Sequence, residues 1–173
     1  MKSLVKFFIL AWCFCLLEAC NESKQEGGKP APIVDYTVTP IHGGAVITYD
    51  IPKDKDILYV MAEYLRNGKT FTERSSVFKN TISVQGFNTS DPVSVTLYSV
   101  NEKETKSDPL HLDFVPLESP VSLTHKSVNI IPTFGGILVS WENISKTEMG
   151  VRLMVDSLGL MIEKDMYFSS LSS

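Results

Sequence analysis

"VTPIHGGAVITYD", residues 38–50, and "IIPTFGGILVSWE", residues 130–142, lie over one another at a constant offset of 92 positions. Pro40 falls on Pro132, Gly43-Gly44 on Gly135-Gly136, Ile47 on Val139 and Tyr49 on Trp141. In the first copy Ala45, Ile47, Tyr49 and Ile51 share one face, with Val46, Thr48 and Asp50 on the other. That period of two is the pattern of a half-buried strand. Paired glycines permit a turn that β-branched residues cannot make, and an inward aromatic anchors a core. The spacing therefore predicts an internal repeat of a β unit, with Tyr49 and Trp141 as core anchors and Gly43, Gly44, Gly135 and Gly136 forming the repeated turn.

Outward from the first copy, the alternation continues in "DILYVMAEYL", and Asn67-Gly68 supplies the positive φ angles of a tight hairpin. Further strands are expected over Lys69 to Arg74, Thr81 to Gln85, Val93 to Val100 and Leu110 to Val115. Short strands punctuated by Gly, Pro, Asn and Asp predict an all-β sandwich over residues 33–117. After the N-terminal leader no stretch shows a helical stripe. The second unit, residues 122–173, is expected to hold strands at Lys126 to Ile131, Ile137 to Glu142, Met149 to Asp156 and Leu160 to Glu163, and to lack the last three. Each bulky side chain then left wet forgoes about 1.5–3 kcal/mol. Open strand edges add an aggregation hazard. The expectation is a truncated second β-sandwich unit at the front end of a longer protein; the alternative is a half-unit packed on the first sandwich.

The first residues give an address. Lys2 and Lys6 precede an apolar run of eleven residues, Phe7 to Leu17, and "LEAC" ends at Cys20. Eleven residues rise only about 16 Å as a helix, half of a hydrocarbon core, so the segment reads as an export signal helix over residues 1–19. A small residue before a cysteine at the end of such a run resembles the lipobox of bacterial lipoproteins, with Glu18 departing from the usual small residue. The resemblance implies lipidation of Cys20 and a membrane partner held through an N-terminal diacylglycerol. Cys13 and Cys15 leave with the leader, so the mature chain has no intramolecular disulfide. Residues 20–32 are expected to be a flexible tether, the twelve after Cys20 spanning about 20 Å root-mean-square and at most about 40 Å.

The whole chain has 173 residues, 43% hydrophobic and 21% charged, with a formal charge of −4. Removing residues 1–19 leaves 14 basic and 19 acidic residues. Such a balance offers no basic footprint for nucleic acid. His42, His111 and His125 stand far apart, without the short spacing of zinc ligands. Asp54-Lys55-Asp56 lacks the further oxygen ligands and loop glycine of a calcium hand and reads as a solvated turn. Glu102 and Glu104 lie on a loop with no partner fixed across a cleft. No nucleophile elbow or phosphate-cradling loop is present, so neither an enzyme nor a metal or cofactor is expected.

The repeated unit resembles the fibronectin type III fold, with Tyr49 and Trp141 at the place of that family's strand-B aromatic. "VSVTLYSVN" and "SDPLHLDF" are similar to its last two strands, although Val93 stands where its tyrosine corner would begin. "VNIIPTFGGILVSWEN" is similar to the start of the second domain in a Bacteroidetes family of surface lipoproteins. In that family a fibronectin type III-like domain of unknown function is followed by a related sandwich and a discoidin-like module. The resemblance implies an outer membrane lipoprotein, periplasmic or surface-facing. It implies a spacer or accessory module of a glycan-binding lipoprotein, with a glycan or surface protein as partner. Tyr59 and Phe87 are candidates to stack on sugar rings, against core packing as the plainer role. The other reading is a structural protein whose open second unit accepts a partner strand. The sequence sets no oligomeric state.

Overall fold

The computed structural model describes residues 28–54 and 56–170, so the leader, Cys20, the first part of the tether and Lys55 lie outside the described residues. In chain order the first unit holds β1 (Tyr36–Ile41), β2 (Gly44–Tyr49), β3 (Ile57–Arg66), β4 (Lys69–Ser76), β5 (Thr81–Gln85), β6 (Val93–Asn101) and β7 (Leu110–Phe114). They form a three-stranded sheet in the order β1-β2-β5 and a four-stranded sheet in the order β4-β3-β6-β7. Every pairing is antiparallel. This is the expected fibronectin type III-like sandwich.

The alternation read in β2 is the reason it closes. Ala45, Ile47 and Tyr49 turn inward and are joined by Ile82 and Val84 of β5. Against them the other sheet sets Val60, Ala62 and Tyr64 of β3, Val95 and Leu97 of β6, and Leu112 and Phe114 of β7. Tyr49 is 1% exposed, and its hydroxyl donates to the Lys79 carbonyl at 3.2 Å, so the buried polar end has a partner. Asn67 (φ 51°) and Gly68 (φ 74°) are both left-handed in the β3–β4 turn, as a two-residue hairpin of this kind requires.

The expected tether is shorter than its composition suggests. Residues 28–32 are pinned to the sandwich by hydrogen bonds from Asn101 and Ser99 and to Asp54, and Pro30 and Ile33 are buried. Polar composition missed this because the pinning groups are backbone atoms of the segment itself, which any sequence supplies.

The second unit begins with a helix where none was expected. α1 (Pro120–Ser127) is capped by Ser119, whose hydroxyl accepts from the Ser122 amide at 3.2 Å, with Pro120 in the first turn. Ser-Pro at a helix start is a legible signal, but α1 has only eight residues and no apolar stripe to reveal it. The strands after it are β8 (Asn129–Thr133), β9 (Gly136–Ser140), β10 (Met149–Ser157) and β11 (Leu160–Ser169). Thus β8 starts three residues later than the predicted Lys126, and β11 runs six past the predicted Glu163.

The register carries the repeat into three dimensions. Val38↔Ile47, Pro40↔Ala45 and Ile41↔Gly44 of β1–β2 reappear as Ile130↔Val139, Pro132↔Ile137 and Thr133↔Gly136 of β8–β9. Gly43 (φ 68°) and Gly135 (φ 80°) hold the same turn position. The β10–β11 turn has the same form as that of β3–β4, with Leu158 (φ 56°) and Gly159 (φ 86°) in place of Asn67 and Gly68, while a bulge between Leu153 and Met154 shifts the register farther along the hairpin. Among the described residues nothing corresponds to β5, β6 or β7, and the two hairpins form separate two-stranded sheets. Their apolar side chains stay wet: Ile137 is 52% and Leu138 54% exposed. Trp141 lies just past the end of β9 and is half-buried, so unlike Tyr49 it is not enclosed in a core.

Burial of the Tyr49 hydroxyl raises its pKa above the ordinary value of 10.0, outweighing its contact with Ser75. Above about pH 10 the unfolded chain gives up this proton while the folded chain keeps it, so the stability contribution is complete below that pH and is lost as pH rises. Tyr49→Phe is expected to cost about 0.5–1.5 kcal/mol at pH 7 through the lost hydrogen bond. The same variant should show a shallower alkaline decline, read from urea midpoints on both sides of the tyrosine range.

Candidate functional site

The two ends of the sandwich are built differently. At the end where the chain arrives, Asn101 is 2% exposed and serves two segments at once. Its Nδ2 donates to the Gly28 carbonyl at 3.3 Å, while its Oδ1 accepts from the amides of Lys103 at 3.0 Å and Thr105 at 2.9 Å. Ser99 Oγ donates to the Ala31 carbonyl, the Ala31 amide donates to Asp54 at 3.2 Å, and Lys29 pairs with Asp108. Asp54 therefore holds incoming backbone and also accepts from the Asp56 amide at 3.4 Å, as a turn residue does.

At the opposite end the chain departs. The Gly43 amide donates to the Leu117 carbonyl at 3.0 Å, and the Leu117 amide to the Ile41 carbonyl at 3.1 Å. Beside this junction lies an open groove of about 540 Å³, lined by the β2–β5 end of the sandwich, the start of α1 and residues Thr147 to Met149. Arg66 crosses it, donating to the Gln85 carbonyl at 2.7 Å with its guanidinium 3.8 Å from the centre of the Phe71 ring. Gly86 (φ 95°) makes room for that arginine, since a Cβ there would stand 2.0 Å from Arg66 Nη1. His42 Nδ1 lies 2.9 Å from the Glu118 carbonyl; a carbonyl only accepts, so Nδ1 carries the proton. Hydrogen bonds from Lys126, first, and Ser122 hold the Glu118 carboxyl below its ordinary range, so at neutral pH it is anionic. Polar and apolar groups line the groove about equally, and its arginine is committed to a carbonyl and a ring. Neither Arg66 nor Gly86 carried a sequence signal, because the pairing joins a hairpin to a loop 20 positions away.

The remaining candidates scatter. His42 is at the groove, His111 is exposed on β7 with Nδ1 3.1 Å from Thr96 Oγ1, and His125 is in the last turn of α1. Among the described residues no cluster of three or more His, Cys, Asp or Glu is placed to hold a metal. Glu104 accepts from the Tyr59 hydroxyl at 2.5 Å, and Arg74 stands 4.9 Å from the centre of the Tyr59 ring, occupying one face. Phe87 is 8% exposed, packed on Tyr64 and edge-on to Phe114, so its ring is core. Cys20 lies outside the described residues.

Residues 30–116 match the family of the domain of unknown function DUF4959, and residues 117–173 match that of the domain of unknown function DUF5126. A search of curated proteins returned no match. Among solved structures, one described as "Myokine structure" is 14% identical with a TM-score of 0.43, over 52% of this chain and 100% of that one. A two-domain fibronectin type III segment of chicken tenascin is 15% identical with a TM-score of 0.46, over 80% of this chain and 82% of that one.

The repeated turn glycines differ in what surrounds them. A Cβ on Gly44 would stand 2.2 Å from the Val84 carbonyl of β5, whereas on Gly136 its nearest neighbour is Thr133 Oγ1 at 3.8 Å. Gly44→Ala is expected to destabilise the sandwich by about 1–3 kcal/mol by forcing β5 aside. Gly136→Ala should stay within about 0.5 kcal/mol of the parent in the same denaturant titration.

Proposed function

The chain belongs to the family of the domain of unknown function DUF4959, and from that premise we propose a membrane-anchored, non-catalytic surface lipoprotein segment, serving as a spacer or accessory module of a glycan-binding lipoprotein. The observation that carries the reading is that the chain enters the sandwich at Asn101 and leaves it at Leu117, at opposite ends. Nine-residue β6 runs between those ends and spans about 30 Å, so the unit holds its incoming and outgoing segments that far apart. The leader and Cys20 supply the anchor in this reading, and the outer membrane, with the sandwich periplasmic or surface-facing, is its location. Commitment of Arg66 and His42 to main-chain carbonyls supports a non-catalytic role.

Mass spectrometry of the N-terminal peptide tests the anchor. It should begin at Cys20 and carry the diacylglyceryl mass, and Cys20→Ser should move the protein from the membrane to the soluble fraction. An unmodified N-terminus elsewhere overturns the reading, as does turnover of a polysaccharide by the purified chain.

A second reading is favoured by one contrast. Gly44 has no side chain because β5 lies against it, and Gly136 keeps the same clearance where no strand lies, its nearest neighbour being Thr133 Oγ1 at 3.8 Å. β9 then accepts an antiparallel strand from a partner, as β2 accepts β5. Native mass spectrometry should show a complex that Gly136→Ala abolishes without altering monomer stability; a monomer from every source overturns it.

A further inference from the structure

The end of β2 has exposed apolar side chains on both flanks. On one flank the Asp50 amide donates to the Asp35 carbonyl at 3.0 Å, and Val34 and Tyr36 beside it are 70% and 42% exposed. On the other the Tyr49 amide donates to the Asn80 carbonyl at 3.0 Å, next to the β4–β5 turn in which Phe78 is 98% exposed. That turn is held by Ser76, whose carbonyl accepts from the Lys79 amide at 2.9 Å and whose hydroxyl accepts from the Phe78 amide at 3.4 Å. The Phe78 ring contributes nothing to it. A sandwich that buries Tyr49 thus projects a full aromatic ring into water where its fold has no use for one.

This is also the end at which the chain arrives. Residue 28 is fixed to Asn101, and eight positions separate it from Cys20, at most about 28 Å of extended chain. An acyl chain on Cys20 keeps this end, and not the groove end, within that distance of the bilayer. Resting on the lipid anchor proposed above, we propose that Val34, Tyr36 and Phe78 seat the sandwich on the surface of the membrane that holds its lipid, with the Phe78 ring in the interfacial layer. The second unit then points away from the bilayer.

One ring does not hold a soluble protein on a membrane. A covalent anchor makes the second contact intramolecular, at an effective concentration of roughly millimolar, so a weak contact is enough to set orientation. Tyr36 suits the interface, with an apolar ring and a polar tip. The contact is apolar rather than electrostatic, because the same end carries Asp35, Asp50 and Asp54 along with Lys53 and Lys79.

The test uses the full acylated chain, in which lipidation consumes the Cys20 thiol. Lys79→Cys beside Phe78, and separately Asn67→Cys at the far end, are labelled with an environment-sensitive fluorophore and placed in phosphatidylcholine vesicles containing a lipid-borne quencher. The label at 79 is expected to shift to the blue and be quenched at least twofold, unchanged at about 0.5 M salt, while the label at 67 stays water-like. Adding Phe78→Ser should abolish the quenching at 79. If mass spectrometry finds Cys20 unacylated, the anchor and this inference fall together. Acylated protein in which 79 is water-like, in which 67 is quenched equally, or in which Phe78→Ser changes nothing overturns the inference alone.

Discussion

A β-sheet with one apolar face is stable only when a second sheet covers that face, and most features of this chain depend on where the cover is present. In the first unit Ala45, Ile47 and Tyr49 meet Val60, Leu97 and Leu112 across the sandwich and are closed from water. Fully burying such side chains stabilises by about 1.5–3 kcal/mol each. In the second unit β8–β9 repeats the register of β1–β2, and β10–β11 forms a hairpin with a bulge between Leu153 and Met154, but Ile137, Leu153 and Val155 remain exposed. Local pairing specifies a hairpin; only the opposing sheet makes it a core.

The cover also dictates the glycines. Gly44 is a packing requirement, because the β5 backbone occupies the space of a side chain. At Gly136 the nearest neighbour is Thr133 Oγ1 at 3.8 Å, so no strand imposes that requirement there.

Closure of the first unit gives its two ends separate work. The incoming segment is stitched along β6 by hydrogen bonds from the Ser99 and Asn101 side chains to its carbonyls, leaving seven residues between Cys20 and the first fixed residue. The outgoing segment passes Gly43 and enters α1 through the Ser119 cap. The segments therefore enter and leave at opposite ends of the sandwich, and Val34 and Phe78 project at the end where the chain arrives.

The period-two pattern around residues 38–50, its copy 92 positions later and the Asn67-Gly68 turn determined by themselves the sandwich, the repeat and the hairpin registers, because these depend on neighbours along the chain. The wide spacing of His42, His111 and His125 was legible as well. Three things were decided only in three dimensions. α1 forms on a cap rather than a stripe, Trp141 stands half-buried where Tyr49 is enclosed, and residues 28–32 belong to the sandwich rather than to the tether. The last two depend on which distant groups come within reach, as Asn101 does for Gly28, whereas α1 rests on its own Ser119 cap; no local pattern of side chains encodes which main-chain carbonyl a folded sheet will present.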